Sequence, residues 1–173
     1  MPNTKTLVII KPDGISKWLT GNIISRFTET RLEIIGCKMV RVSKEFAEKH
    51  YEDHKGKSFY NALIDYITGK LHQQHEVMAL VYFGNNAIEK IRAICGATNP
   101  EIAEPDTIRG QFGRILESGL MENVVHASDS IESAEKEIKL WFEPDELIAE
   151  IYPIEERVFK DYKKLVWKDK TRY

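Results

Sequence analysis

A chain of 173 residues, 42% of them hydrophobic and 10% aromatic, has enough apolar surface for one packed domain, which excludes disorder as its resting state. Its 25 basic and 27 acidic side chains leave a formal net charge of −2 and are spread along the sequence, so no global field recruits nucleic acid or an anionic membrane. Cys37 and Cys95 form neither a disulfide framework nor a metal or redox spacing, and the apolar runs are far too short for a bilayer span, so a soluble protein of the reducing cytoplasm is expected.

Thr6 to Ile10 is β-rich and stops at Lys11-Pro12-Asp13-Gly14, which predicts a strand followed by a loop with Lys11 at the strand's end. Leu19, Ile23 and Phe27 recur every fourth residue, the apolar stripe of an amphipathic helix. Ile34 to Val42 reads as a second strand. Phe46, Ala47, His50 and Tyr51 predict a short helix, and Phe59, Leu63 and Ile67 a further one. Val77 to Phe83 is a buried strand, and Ala87, Ile88, Ile91 and Ile94 mark a helix ending near Cys95-Gly96.

From there to about Met121 the chain reads as a loop carrying Pro100, Pro105 and Gly110, long enough to have a function of its own. Asn123 to His126 forms a brief strand, after which Asp129 with Glu132 resembles a capping box opening a helix through Ile131, Ala134, Ile138 and Trp141. Four strands with interleaved helices predict an α/β sandwich, with a ferredoxin-like βαββαβ sheet the best match. With no repeat and no linker, residues 1–150 read as one domain. Residues 151–173 form a C-terminal extension, with Val158, Tyr162 and Leu165 at helical spacing, that packs on the same domain or a neighbouring subunit.

None of the familiar phosphate cradles is present: no G-x-x-x-x-G-K-[ST], no G-x-G-x-x-G after a strand, no protein-kinase catalytic loop. A phosphotransferase built on this chain would need a nucleophilic side chain that takes the group itself, and histidine suits that role near neutral pH. Asn123-Val124-Val125-His126-Ala127-Ser128-Asp129-Ser130 offers one at a strand end feeding a capped helix. This octapeptide resembles the N-x-x-H-[GA]-S-D-S segment of nucleoside diphosphate kinases. Lys11-Pro12-Asp13, Thr98-Asn99-Pro100 and Pro105-Asp106-Thr107-Ile108-Arg109-Gly110 resemble that family's other segments, in the same order, and the likeness covers roughly residues 5 to 147.

The resemblance implies a ping-pong γ-phosphoryl transfer from a nucleoside triphosphate, mainly ATP, to a nucleoside diphosphate. It makes His126 the phosphorylated nucleophile and Glu137 the carboxylate orienting its ring. Lys11, Arg92, Arg109, Thr98 and Asn123 would surround the phosphates, Tyr51 and Ser128 line the pocket near the histidine, and Phe59 with Leu63 clamp the base. Mg²⁺ would come with the nucleotide, bound by its phosphates and not by protein side chains. The family likeness also implies a closed homo-oligomer, hexamer ahead of tetramer.

Singly, each of these residues has an ordinary structural reading, and only the agreement of the segments raises them. His50 and His54 are four apart but lack the Glu that a zincin helix requires, and His72 with His75 reads as solvated loop. The stretches Lys70 to His75 and Gln111 to Glu122 are longer than the family pattern, and Gln111 replaces a commonly acidic residue. Two rival readings remain open at this level: a ferredoxin-like nucleic-acid-binding module, disfavoured by the slight acidity and by Gln111 where an aromatic should stack, and a catalytically silent scaffold.

Overall fold

The computed structural model describes residues 3–155. Its centre is a four-stranded antiparallel sheet in the order β2-β3-β1-β6, built from β1 (Asn3–Ile10), β2 (Glu33–Arg41), β3 (Glu76–Asn85) and β6 (Val125–Ala127). This is the expected ferredoxin-like sheet. Strand β1 lies between β3 and β6, so Leu7, Val8, Ile9 and Ile10 are all fully buried, which explains a continuous apolar run in place of alternation.

Successive residues of β1 feed two cores. Leu7 and Ile9 join Ala47 of α3 (Lys44–His50), Ile64 and Ile67 of α4 (Tyr60–Ile67), and Ile138 and Trp141 of α7 (Ile131–Trp141). Val8 and Ile10 join Ile23 and Phe27 of α2 (Thr20–Thr28), and Ile91 and Cys95 of α5 (Ala87–Cys95). His126 is paired with Ile9, flanked by Val125 and Ala127 in the second core, so its side chain is delivered to the α3/α7 side.

Three local expectations are corrected. Lys11 to Gly14 is not a loop: Pro12, pre-set at the first helical position, opens a short helix α1 (Pro12–Ser16). The supposed loop 96–121 contains a 3₁₀ turn at Pro100–Ile102, α6 (Ile108–Phe112) and a small hairpin of β4 (Arg114–Ile115) and β5 (Met121–Glu122). Thr107 caps α6, and Gly110 is required there because a Cβ would come within 2.1 Å of the Glu104 carbonyl oxygen. The cap of α7 is Ser130, whose Oγ accepts from the Ser133 amide at 3.0 Å, one residue beyond Asp129.

No helix among the described residues is long and apolar enough to cross a membrane. The predicted tail helix with Val158, Tyr162 and Leu165 lies outside the described residues; Ile151 and Tyr152 before it pack on the α3/α7 core.

Candidate active site

His126 is partly exposed, and its ring is oriented from behind. Nε2 lies 2.9 Å from Glu137 Oε2, and Ser128 Oγ–H donates to the same oxygen at 2.6 Å. Ser128 is tied in turn to β1, accepting from the Leu7 amide and donating its own amide to the Leu7 carbonyl, both at 3.1 Å. With Nε2–H directed at the carboxylate, the neutral ring carries its lone pair on Nδ1, the form a nucleophile needs.

The segment before His126 is bent sharply. Val124 has φ +55°, a left-handed conformation costly for a β-branched residue, and the Val125 amide donates to the Asn123 carbonyl at 2.6 Å. Two buried polar groups hold the bend: Asp13 Oδ2 accepts from the Val124 amide at 3.2 Å, and the Tyr66 hydroxyl accepts from the Asn123 amide at 3.1 Å. Neither Asp13 nor Tyr66 was singled out by the sequence as a lone site residue, though Asp13 stands within the Lys11-Pro12-Asp13 segment.

Lys11 follows β1 directly and sits beside this bend. Its Nζ donates to Asn123 Oδ1 at 2.7 Å and sits 4.9 Å from the centroid of the Tyr66 ring, while Asn123 Nδ2 donates to the Thr98 carbonyl at 2.9 Å. Burial, and then the Arg109 guanidinium, push the Lys11 ammonium down to about 7. Arg109 is itself buried, donating to the Gly96 carbonyl at 2.9 Å and the Val125 carbonyl at 3.1 Å, with Nε unpartnered among the described residues. Two buried cations with so few carboxylates beside them make a site that favours an anion.

The remaining candidates rim this centre. Tyr51 lies 6.5 Å from His126 between ring centroids, and burial, followed by the Glu137 charge, raises its phenol far above the ordinary value, so it stays a donor. Its hydroxyl has no hydrogen-bond partner among the described residues. His54 continues the row of rings to Phe59, at 5.9 Å from Tyr51 and 5.8 Å from Phe59. Phe59 is 48% exposed at the start of α4, whereas Leu63, one turn on, is half-buried against the core. Arg92 and Thr98 are exposed, and the charge of Arg92 is felt at Asp129 and Arg109.

His72 is not the solvated residue that its polar neighbours suggest. Its side chain is buried with Nε2 2.7 Å from Oε1 of Glu122, and His75 Nδ1 lies 3.0 Å from the Thr68 carbonyl. Glu122, immediately before Asn123, also receives Lys17 at 2.9 Å and Arg114 at 2.6 Å. Burial opposes its charge, but the hydrogen bonds from Arg114, Lys17 and His72 outweigh it and hold the carboxyl at about 2. A carboxyl depressed on folding adds stability that is full above about pH 4.5 and is lost as pH falls through about 2. Glu122→Gln is expected to cost roughly 2 kcal/mol at pH 6, with the gap to the native protein closing on acidification in thermal melts. A gap constant with pH would contradict the charge argument.

Comparison with known proteins agrees with this geometry. The family model described as "Nucleoside diphosphate kinase" matches residues 4–147. A nucleoside diphosphate kinase of Pyrococcus furiosus is 51% identical over 143 residues, covering 83% of this chain and 85% of its own, and one of Clostridium perfringens is 53% identical over 138 residues, covering 80% and 90%. Among solved structures, a transition-state mimic of the Borrelia burgdorferi nucleoside diphosphate kinase with bound vanadate and ADP superposes with a TM-score of 0.77 at 35% identity, covering 87% of this chain and 93% of that one. The Aquifex aeolicus enzyme gives a TM-score of 0.76 at 35% identity, covering 85% and 100%. An oriented histidine beside buried cations, on a sheet shared with these enzymes and over nearly the whole described chain, places the protein in the nucleoside diphosphate kinase family.

Proposed function

We propose that this nucleoside diphosphate kinase passes the γ-phosphoryl group from a nucleoside triphosphate to a nucleoside diphosphate through His126. The observation that carries this reading is the Glu137–His126 hydrogen bond, which keeps the ring proton on Nε2 and leaves a lone pair on Nδ1. In the first half-reaction the Nδ1 lone pair forms a bond to the γ-phosphorus. The bond from that phosphorus to the bridging oxygen breaks, and the diphosphate leaves with the electron pair. Glu137 holds the Nε2 proton throughout and offsets the positive charge that the ring acquires. The second half-reaction is the reverse, with a terminal oxygen of the acceptor diphosphate attacking the phosphohistidine.

Lys11, Arg92 and Arg109 offset the charge on the transferring group, and Asn123, Thr98, Tyr51 and Ser128 complete the pocket. The nucleotide enters as its Mg²⁺ complex, with the cation bound by phosphate oxygens. Among the described residues the trio close enough to hold a metal is His50, His126 and Glu137, a nitrogen-rich set unsuited to Mg²⁺.

Phe59 presents a half-exposed ring face, which stacks on any base and reads no base edge. Phe59→Ala is therefore expected to raise KM for purine and pyrimidine nucleotides alike, by roughly tenfold, in steady-state assays with several nucleotides. A rise confined to one base would contradict the clamp. Residues 1–150 act as the catalytic domain in a cytoplasmic protein, and the chain assembles into a closed homo-oligomer, hexamer ahead of tetramer. The outer strand β2, with Ile34 and Met39 exposed, supports an assembling edge. The mass by sedimentation equilibrium decides the number. Labelling with γ-labelled ATP alone, giving an acid-labile and base-stable label that maps to His126, tests the mechanism.

A further inference from the structure

His50, His126 and Glu137 bring two ring nitrogens and a carboxylate oxygen within 4.8 Å of one another, a donor set that a transition metal could use. The hydrogen bonding of His50 argues for a different role. The Trp141 indole N–H is a donor only, and it lies 3.2 Å from His50 Nδ1. Nδ1 therefore accepts, and the single proton of the neutral ring sits on Nε2, which is then not a free ligand atom. Burial first, reinforced by His126, Lys11, His54 and Lys136, holds the pKa of His50 well below the ordinary histidine value, so this neutral ring is the form present at neutral pH.

His50 thus has one N–H to give, from a buried Nε2 with no hydrogen-bond partner among the described residues. An unsatisfied buried donor is costly, and a partner close by would remove that cost. Glu137 is the neighbour able to supply it. The bonds from His126 and Ser128 both fall on Oε2, which leaves Oε1 for a further donor. The three donor atoms lie within 4.8 Å of one another while no direct hydrogen bond reaches Nε2, an arrangement that suits one bridging water.

The space for that water is present. Between α3 and α7 a cavity of about 20 Å³ is lined by His50, Glu137 and Ser133, together with Lys136 and Asp53, which pair at 3.2 Å. That volume exceeds the roughly 10–15 Å³ that one water requires, and the lining offers polar groups beside the apolar Leu140. We infer that His50 is a positioning residue: through one water in this cavity its Nε2–H steadies the Glu137 carboxylate that orients His126. The inference rests on His126 being the nucleophile.

Two substitutions separate positioning from packing. His50→Phe keeps an aromatic ring between Tyr51 and Trp141 but removes the N–H, and His50→Gln returns an amide N–H near the place of Nε2. The maximal rate of His126 phosphorylation by excess ATP, measured by rapid quench, is expected to fall about tenfold in His50→Phe. The ATP concentration giving half that rate should stay at its native value, and His50→Gln should recover the rate to within about twofold. His50→Phe also removes the acceptor of the Trp141 indole N–H and lowers the thermal midpoint, so rates are compared well below both midpoints. A native rate in His50→Phe would overturn the inference, as would an equal loss in both variants. If the native protein takes no label on His126, the nucleophile assignment falls instead, and that outcome is visible before either variant is made.

Discussion

His126→Ala is expected to lose phosphate exchange between ATP and a second diphosphate by on the order of 10,000-fold or more, while still binding nucleotide. The size follows from the design of the site. Lys11, Arg109 and Asn123 can hold a triphosphate without the imidazole, but none of them is a nucleophile in position to accept the group. Removing the ring leaves the polar frame standing, because Glu137 keeps its bond from Ser128 and Ser128 keeps both links to Leu7. Thermal melts should therefore show a folded protein, and equilibrium dialysis with ADP a native-like affinity. Exchange at the original rate in this variant would refute the phosphohistidine route, and so would a label on the native protein that survives denaturation in acid.

The second large effect is a dependence of kcat/KM on the protonation of Lys11. Burial and the Arg109 charge place its pKa at about 7 in the free protein, so the ammonium is present below that pH and is lost above it. Nucleotide phosphates favour the charged form, so binding above about pH 7 takes up a proton, and the pKa in the complex is higher. Because kcat/KM reports on the free enzyme, it is expected to fall about tenfold per pH unit above this value, while kcat stays level over the same range. Lys11→Arg should flatten the fall by keeping the charge, and Lys11→Met should lower kcat/KM on the order of 100-fold or more below pH 7 and remove the alkaline limb. Proton uptake can be read by calorimetry in buffers of different ionisation enthalpy. An unchanged alkaline limb in Lys11→Met would assign it to another group.

Much of the fold was open to reading because its signals are local. Ile23 and Phe27 on α2, Ile88, Ile91 and Cys95 on α5, and the unbroken run Leu7 to Ile10 each state their burial through periodicity within a few residues. The short elements were not readable in the same way. α1 and α6 are one turn and a half long, too brief for a stripe, and the β4/β5 hairpin is held by only two residue pairs. At the site, His126, Ser128 and Glu137 lie within a single strand-to-helix unit, so their partnership follows from the sequence once the helix start is recognised.

By itself, then, the sequence pointed to the candidate residues for the chemistry and determined which runs are buried, through ordered motif segments and short-range periodicity. Only the tertiary structure decided the company those residues keep. Asn123 is 112 positions from Lys11, Val124 is 111 from Asp13, Trp141 is 91 from His50, and Glu122 is 50 from His72. These contacts join polar groups whose local surroundings look like ordinary loop or helix surface. Their burial follows from strand register and helix packing across the whole sheet, and a buried polar atom must then find its partner wherever the fold has brought one, regardless of distance along the chain.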